Sequence, residues 1–409
     1  MAKNGESHST PNGLACAGLF AGVGGIELGL ERAGFETQFL CEWLHEARAV
    51  LSRRFPHAKI REDVNALVEN PRYRLPSVDI ISAGFPCQDL SQCGRTAGIR
   101  GERSGLVNSL LELLARRKRG PRWLLLENVP FMLRLDRGRA MSHLTRSLED
   151  LGFTWGYRVV DARSFGLPQR RERVVLLASR TEDPRPILFA DESGRKAPEE
   201  QEDDRPRGFY WTEGNRGLGW AFDAVPTLKA GSTVGIPSPP AIWLPAHDHV
   251  VTPRIDDAEA MQGFPRGWTS LAHTNPRLAD RLRWRLVGNA VPVDIAQWVG
   301  SSITSPGTYQ SLESRRMGSS DAWPTAAWGG KGSRFSVDRS TWPVSTPWKG
   351  LAARYGADGH RLLDRPHLSV RAASGFLGRI KRSSLRRGRD VRFIGSLERF
   401  IETLEHEAA

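Results

Sequence analysis

The chain has 409 residues, room for one large catalytic domain and a smaller one. Fifty-eight Lys and Arg against 46 Asp and Glu give a formal charge of +12, which suits a nucleic-acid partner and equally a solvated basic surface. No apolar run approaches the roughly 20 residues of a membrane span. The polar start lacks a signal-peptide core, and Cys16, Cys41, Cys87 and Cys93 match no zinc spacing, so a reducing, cytoplasmic setting without a metal is expected.

In chain order, Leu14 to Phe20 predicts a first strand. It enters Phe20-Ala-Gly-Val-Gly-Gly25, and Ile26 to Ala33 continues with helical apolar spacing. Strand, glycines and helix in that order make a ligand turn, because Gly22, Gly24 and Gly25 permit close backbone approach and the helix start exposes N–H groups. The spacing departs from the dinucleotide pattern; a nucleoside ligand fits, with a simple loop as the alternative. Glu42 closes the apolar run Thr37 to Cys41, 20 residues after Gly22, where an acid can take ribose hydroxyls. Trp43 offers a wall for an adenine ring, and Asp63, after a strand around Lys59 and Ile60, offers an acceptor for its amino group.

Val78 to Ala83 predicts a buried strand stopped by Gly84-Phe-Pro-Cys-Gln-Asp-Leu-Ser91. This places Cys87 at the C-terminal edge of an α/β sheet, where such folds carry their sites. A cysteine alone reads as readily as a small buried hydrophobe. Gln92 to Ser104 reads as a mobile active-site loop, and Leu106 to Arg116 as a helix ending in a basic run. The strand Arg122 to Leu126 delivers Glu127, stopped by Pro130, to the same sheet edge. A helix over Ala140 to Leu151 and a strand over Trp155 to Val160 follow. Gln169 to Arg173 then enters a strand over Val174 to Ala178, and alternation puts Arg171 and Arg173 on one side if that stretch is extended.

A series of blocks runs in one linear order: Phe20-Ala-Gly-Val-Gly-Gly25, Glu42-Trp43, Asp63-Val64, Gly84-Phe-Pro-Cys-Gln88, Glu127-Asn-Val129, Gln169-Arg-Arg-Glu-Arg173, Gln262-Gly-Phe-Pro265 and Gly288-Asn-Ala-Val-Pro292. Together, over roughly residues 14 to 300, they resemble the bacterial-type DNA (cytosine-5)-methyltransferase family. One position departs: where the family often has Asp or Ser, this chain has Gly18, losing a polar side chain near the cofactor.

The resemblance implies an α/β fold: a Rossmann-like S-adenosylmethionine-dependent methyltransferase sheet with a small inserted target-recognition region and a C-terminal extension. The implied segments are 1–178 for the cofactor and nucleophile part, 179–250 for target recognition, 251–304 for the return to the catalytic domain, and 305–409 for the extension. Cys87 would attack C6 of a flipped cytosine, Glu127 would hold a proton against N3, Arg171 would contact the base O2, and Arg173 would support the pocket. S-adenosyl-L-methionine would lie against Phe20, Gly22, Gly24, Gly25, Glu42, Trp43, Asp63, Val64, Asn289 and Val291. Gln88, Ser91, Arg216, Thr227 and Lys229 would meet DNA.

The implied function is sequence-specific methylation of cytosine C5 in double-stranded DNA, in restriction–modification or phage defence. It would act at the nucleoid, with restriction or defence-system proteins as partners. Two alternatives stay open: an RNA (tRNA) cytosine-5 methyltransferase with the same site, and a catalytically silent DNA-binding protein, against which Cys87, Glu127 and Arg171 argue.

Ser179 to Asp204 turns to Pro, Glu, Asp and Arg and reads as an exposed linker or excursion rather than core. Gly208 to Trp220 is a Gly and aromatic segment in the recognition region. Helices are expected over Asp256 to Met261, Leu278 to Val287 and Val293 to Ile303. Beyond these, Trp323, Trp328, Trp342 and Trp348 are too costly to leave in water, so an ordered extension is expected, packing on the recognition region or meeting DNA. Arg379 to Arg392 is strongly basic, and Phe393 to Leu404 reads as an amphipathic helix.

Overall fold

A computed structural model describes residues 13–70, 73–85, 105–117, 120–193, 199–213, 217–231, 239–270, 276–310, 314–344, 346–383 and 391–408. Two compact units divide the chain. The first is Met1–Val160, Glu172–Gly194 and Val291–Pro343; the second is Asp161–Arg171, Arg195–Ala290 and Val344–Ala409. These lines differ from the expected four segments: 251–290 groups with 195–250, 179–194 stays with the first unit, and the extension is shared between the units.

The first unit is built on a ten-stranded sheet. Its strands are β1 (Leu14–Leu19), β2 (Phe35–Cys41), β3 (Lys59–Arg61), β4 (Ile80–Ala83), β5 (Trp123–Asn128), β6 (Thr154–Asp161), β7 (Glu172–Ser179), β8 (Ser314–Arg316), β9 (Ala326–Gly330) and β10 (Ser333–Val337). Their spatial order is β8-β10-β9-β6-β7-β5-β4-β1-β2-β3. The pairs from β3 through β5 are parallel, and β7 runs antiparallel to β5. The parallel centre requires strands buried on both faces, which is why β4 and β5 are unbroken buried runs. On one face Ala17, Leu19, Ile81, Ala83, Leu124 and Leu126 pack with Leu110, Leu114, Leu144 and Leu148 from the covering helices.

Helix α1 (Gly25–Arg32) packs on the late helix Val293–Thr304, and the fit depends on Gly29: a Cβ there would lie 2.4 Å from the Val293 carbonyl oxygen. The helix after Pro292 thus returns to the first helix of the chain.

Two sequence expectations are corrected here. Ser179 to Asp204 is not simply a linker, because it contains the helical turn Arg185–Leu188 and buries Ile187, Leu188 and Phe189. The carbonyls of Leu188 and Asp191 accept from the buried Arg158 guanidinium at 3.1 and 2.6 Å, and Glu192 pairs with it at 2.7 Å. The tryptophan-rich stretch does not pack as one piece on the recognition region. Its first part adds β8, β9 and β10 to the catalytic sheet, with β9 antiparallel to β6. Trp323 stacks edge-on against Trp155 at 5.8 Å and donates to the Gly138 carbonyl at 3.0 Å.

In the second unit a four-stranded antiparallel sheet runs Ala221–Phe222, Arg207–Phe209, Ala241–Leu244, His249–Val251. The rest of the extension covers it with helices Val370–Arg382 and Val391–Ala408. Phe376 and Phe393 lie 4.9 and 5.2 Å from Phe209, and the buried Trp243 indole donates to Ser396 at 2.7 Å. This second part of the extension packs on that four-stranded sheet. No helix among the described residues is long and apolar enough to cross a membrane.

Candidate active site

β1 ends at Leu19 and the chain turns sharply: Phe20, Gly22 and Gly24 have φ of 55°, 56° and 82°. Only Gly22 and Gly24 take such angles without strain, so the turn is fixed by sequence. Among the described residues beyond its chain neighbours, no atom lies within 4 Å of where a Cβ on Gly22 would stand. The Gly22 N–H donates to Glu42 Oε2 at 2.8 Å, and Leu44 N–H donates to Glu42 Oε1 at 2.7 Å. Burial raises the Glu42 carboxyl, against which these two N–H groups act. Gly25 opens α1, and Trp43 is 74% exposed. Asp63 caps the helix Val64–Glu69, accepting from Asn65 N–H at 2.8 Å, and Val64 is buried.

The other side of the candidate site is built from β4 and β5. Register pairs Ala83 with Leu126, so Glu127 is the next residue along, beside Gly84. A Cβ on Gly84 would lie 3.6 Å from Glu127 Oε2 and 3.8 Å from the Val291 side chain. Glu127 Oε1 is 2.7 Å from Arg173 Nε, with both side chains almost wholly buried. Asn128, a residue the sequence reading passed over, donates to the Phe85 carbonyl at 2.9 Å and accepts from Val129 N–H at 2.9 Å. It ties the end of β5 to the chain two residues before Cys87. Cys87, Gln88, Ser91 and Cys93 lie outside the described residues, as does the loop Gln92 to Ser104.

The two described cysteines, Cys16 and Cys41, are buried. Burial raises Cys16 far above the ordinary range and pushes Cys41 up to about 12, keeping both protonated.

Within the second unit, Arg171 is buried and donates to the carbonyls of Leu228, Gly288 and Ala290 at 2.9, 3.1 and 2.8 Å. Its neighbour Gln169 donates to the Met261 carbonyl at 3.1 Å and accepts from Leu228 N–H at 3.0 Å. Gln262 donates to the Val287 carbonyl at 2.9 Å. The condition of unbroken extended backbone is not met, because Arg171 stands between the strand Gln169–Arg170 and β7. Arg171 braces carbonyls while Arg173 pairs with Glu127. The Thr227 hydroxyl donates to the Arg170 carbonyl at 2.8 Å. Lys229 lies over the Tyr210 ring, 3.7 Å from its centroid, and pairs with Glu213. Asn289 is exposed at the end of helix Pro276–Asn289, and Arg216 lies outside the described residues. Among the described residues no cluster of His, Cys, Asp and Glu is placed to hold a metal ion.

Residues 14–211 match the sequence pattern of the C-5 cytosine-specific DNA methylases. The type II methyltransferase M2.BsuMI of Bacillus subtilis is 47% identical over 391 residues, covering 93% of this chain and 96% of that protein. The chain belongs to the C-5 cytosine-specific DNA methylase family. It is therefore a DNA (cytosine-5-)-methyltransferase. A second methylase, M.Bsp6I of Bacillus sp. (strain RFL6), is 28% identical over 71% of this chain and 98% of its own length. Among solved structures, the S. pombe Dnmt2 methyltransferase aligns with a TM-score of 0.52 at 15% identity, covering 70% of this chain and 97% of that one. That likeness concerns the fold alone, the mixed α/β sheet of this methylase.

Proposed function

We propose that this methylase transfers a methyl group from S-adenosylmethionine to C5 of cytosine within a specific duplex DNA sequence, through a covalent adduct of Cys87 with a flipped base. We further propose that it is the modification enzyme of a type II restriction–modification system, which fits the description of its Bacillus subtilis relative.

The carrying observation is the junction of β4 and β5. The Glu127 carboxyl, held by Arg173, stands against Gly84, and Asn128 fixes Phe85, so the segment bearing Cys87 starts beside a buried acid. The residues of the first turn fit the cofactor. No described residue beyond its chain neighbours crowds the Cβ position of Gly22, and Glu42 spends one contact per oxygen on backbone N–H groups, leaving lone pairs for ribose hydroxyls. Asp63 has one oxygen on its cap and one for an adenine amine, and Trp43 is exposed for stacking. When bound, S-adenosylmethionine supplies the methyl group.

The chain's own residues prepare the acceptor. Attack of the Cys87 thiolate forms an Sγ–C6 bond and moves electron density to C5. Glu127, holding a proton at N3, stabilises the charge that builds in the ring. Arg171 keeps the recognition unit's carbonyl-lined backbone in place. Once C5 is methylated, its proton passes to a base or solvent and the Sγ–C6 bond breaks, freeing the thiolate and the base.

Covalent capture tests this reading. Bacterial genomic DNA containing 5-fluorocytosine, which has no removable C5 proton, should trap the wild-type protein in a denaturant-stable complex when S-adenosylmethionine is present. Cys87→Ser should give none, while Cys16→Ser and Cys41→Ser should be trapped normally. Equal trapping of Cys87→Ser would refute the assignment. Capture on tRNA and not on DNA would refute the substrate.

A further inference from the structure

Glu27 stands in the first turn of α1 and is 1% exposed. Its Oε1 accepts from the Ser82 hydroxyl at 2.7 Å, and its Oε2 has no hydrogen-bond partner among the described residues. Register pairs Gly18 with Ser82, one residue below the strand ends Leu19 and Ala83. A Cβ on Gly18 would lie 2.2 Å from Glu27 Oε1. The carboxyl thus fills the volume that a side chain at position 18 would occupy. It is the position at which this chain lacks the family's frequent Asp or Ser.

A half-satisfied buried acid is unfavourable, and packing alone would be served better by an apolar side chain. Among the described residues, none of the groups that shift it most is a cation. Burial pushes it up to about 7, the Ser82 hydroxyl opposes this, and Glu31 on the same helix and Glu42 beyond β2 raise it further. Cys16 on β1, which also senses Glu27, is itself kept neutral by burial. The carboxyl sits at the base of two loops: α1 is entered from the Phe20–Gly24 turn, and β4 leaves through Gly84 toward Cys87. The local chemistry asks for a positive charge arriving from outside.

We propose that Glu27 is a positioning residue for the positively charged methionyl end of S-adenosylmethionine, supplying from α1 the polar group that Gly18 cannot. This rests on the cofactor reading above. In the free protein the acid holds its proton; arrival of the cationic ligand favours the carboxylate, so binding releases a proton and tightens as pH rises toward neutrality.

The test is calorimetric binding to the full chain from pH 6.0 to 7.5, below the roughly 7.7–8.0 of a free α-amino group. Three ligands are compared: S-adenosylmethionine, S-adenosylhomocysteine, and 5′-deoxy-5′-methylthioadenosine, which lacks the amino-acid end. Wild-type affinity for the first two should rise about eightfold over this range, as for one proton leaving a group that titrates near 7, with no change for the third. Glu27→Gln should abolish the pH dependence and weaken S-adenosylmethionine about tenfold or more at pH 7.5. The double variant G18D/E27S, which restores a carboxyl from the strand, should recover affinity. An E27Q protein that binds within twofold of wild type, with the wild-type pH profile, overturns the assignment and leaves the cofactor reading standing. Flat wild-type profiles, or equal pH dependence for methylthioadenosine, also overturn it. A wild-type protein that binds no S-adenosylmethionine overturns the cofactor reading and the role of Glu27 together.

Discussion

Glu127 and Arg173 form an ion pair of 2.7 Å at the end of two antiparallel strands, and neither side chain exposes more than 11% of its surface. Removing one partner leaves the other charge buried, which costs about 3–5 kcal/mol, whereas removing both costs less. Arg173→Met should therefore destabilise the fold by about 3 kcal/mol, and adding Glu127→Gln should recover part of that loss. Denaturant unfolding of the two single variants and the double variant measures the coupling. Strict additivity would mean the pair is not a coupled unit.

Asn128 holds the Phe85 carbonyl at 2.9 Å, two residues before Cys87. Its loss should misplace the proposed nucleophile without touching the proposed cofactor turn. Asn128→Ala is expected to lower kcat by about 10- to 100-fold while S-adenosylmethionine affinity stays within twofold. Single-turnover kinetics with parallel binding measurements separate the two. A weakened affinity with unchanged kcat would contradict this role.

The raised Glu27 acid makes stability depend on pH. The unfolded acid ionises near 4.5 while the folded one keeps its proton until about 7. Its stabilising contribution is complete below 4.5 and falls away as pH rises to 7, by up to about 3 kcal/mol. Without cofactor, Glu27→Gln should thus gain on the wild type between those pH values and hold a constant advantage above 7. Unfolding curves at pH 4.5, 6 and 8 check the trend. A constant difference across that range would count against a neutral acid.

Truncation after Thr304 removes three strands from the catalytic sheet and both helices that cover Phe209 and Trp243. The truncated protein should be insoluble, or should unfold without cooperativity, in calorimetry. A soluble product with the wild-type melting temperature would show the extension to be dispensable.

Much of the first unit was legible because its signals are local. Alternation of strand, glycine turn and helix fixes Phe20 to Gly25, and an unbroken apolar run ending in Glu127 fixes that acid at a strand end. Long-range partners were less visible. Arg158 is buried because carbonyls of a segment with linker-like composition converge on it, and composition does not report convergence. The strands β8 to β10 are three to five residues long and partly exposed, too short for a period to emerge. Glu27 reads in sequence as an ordinary acid in a first helical turn, favourable to the dipole; only the missing side chain at Gly18 makes room for it inside. The resemblance assigns Lys229 to DNA, and nothing in the sequence near it shows its Glu213 partner, which lies in a separate aromatic segment.

The most direct measurement is bisulfite sequencing of DNA from cells that lack cytosine-5 methylation and express either wild-type protein or Cys87→Ser. The wild type should leave 5-methylcytosine at one recurrent sequence context, and Cys87→Ser should leave none. An unmethylated genome with soluble, folded wild-type protein, or the same methylation pattern from Cys87→Ser, would contradict the assignment of Cys87 as the nucleophile of a sequence-specific DNA cytosine-5 methyltransferase.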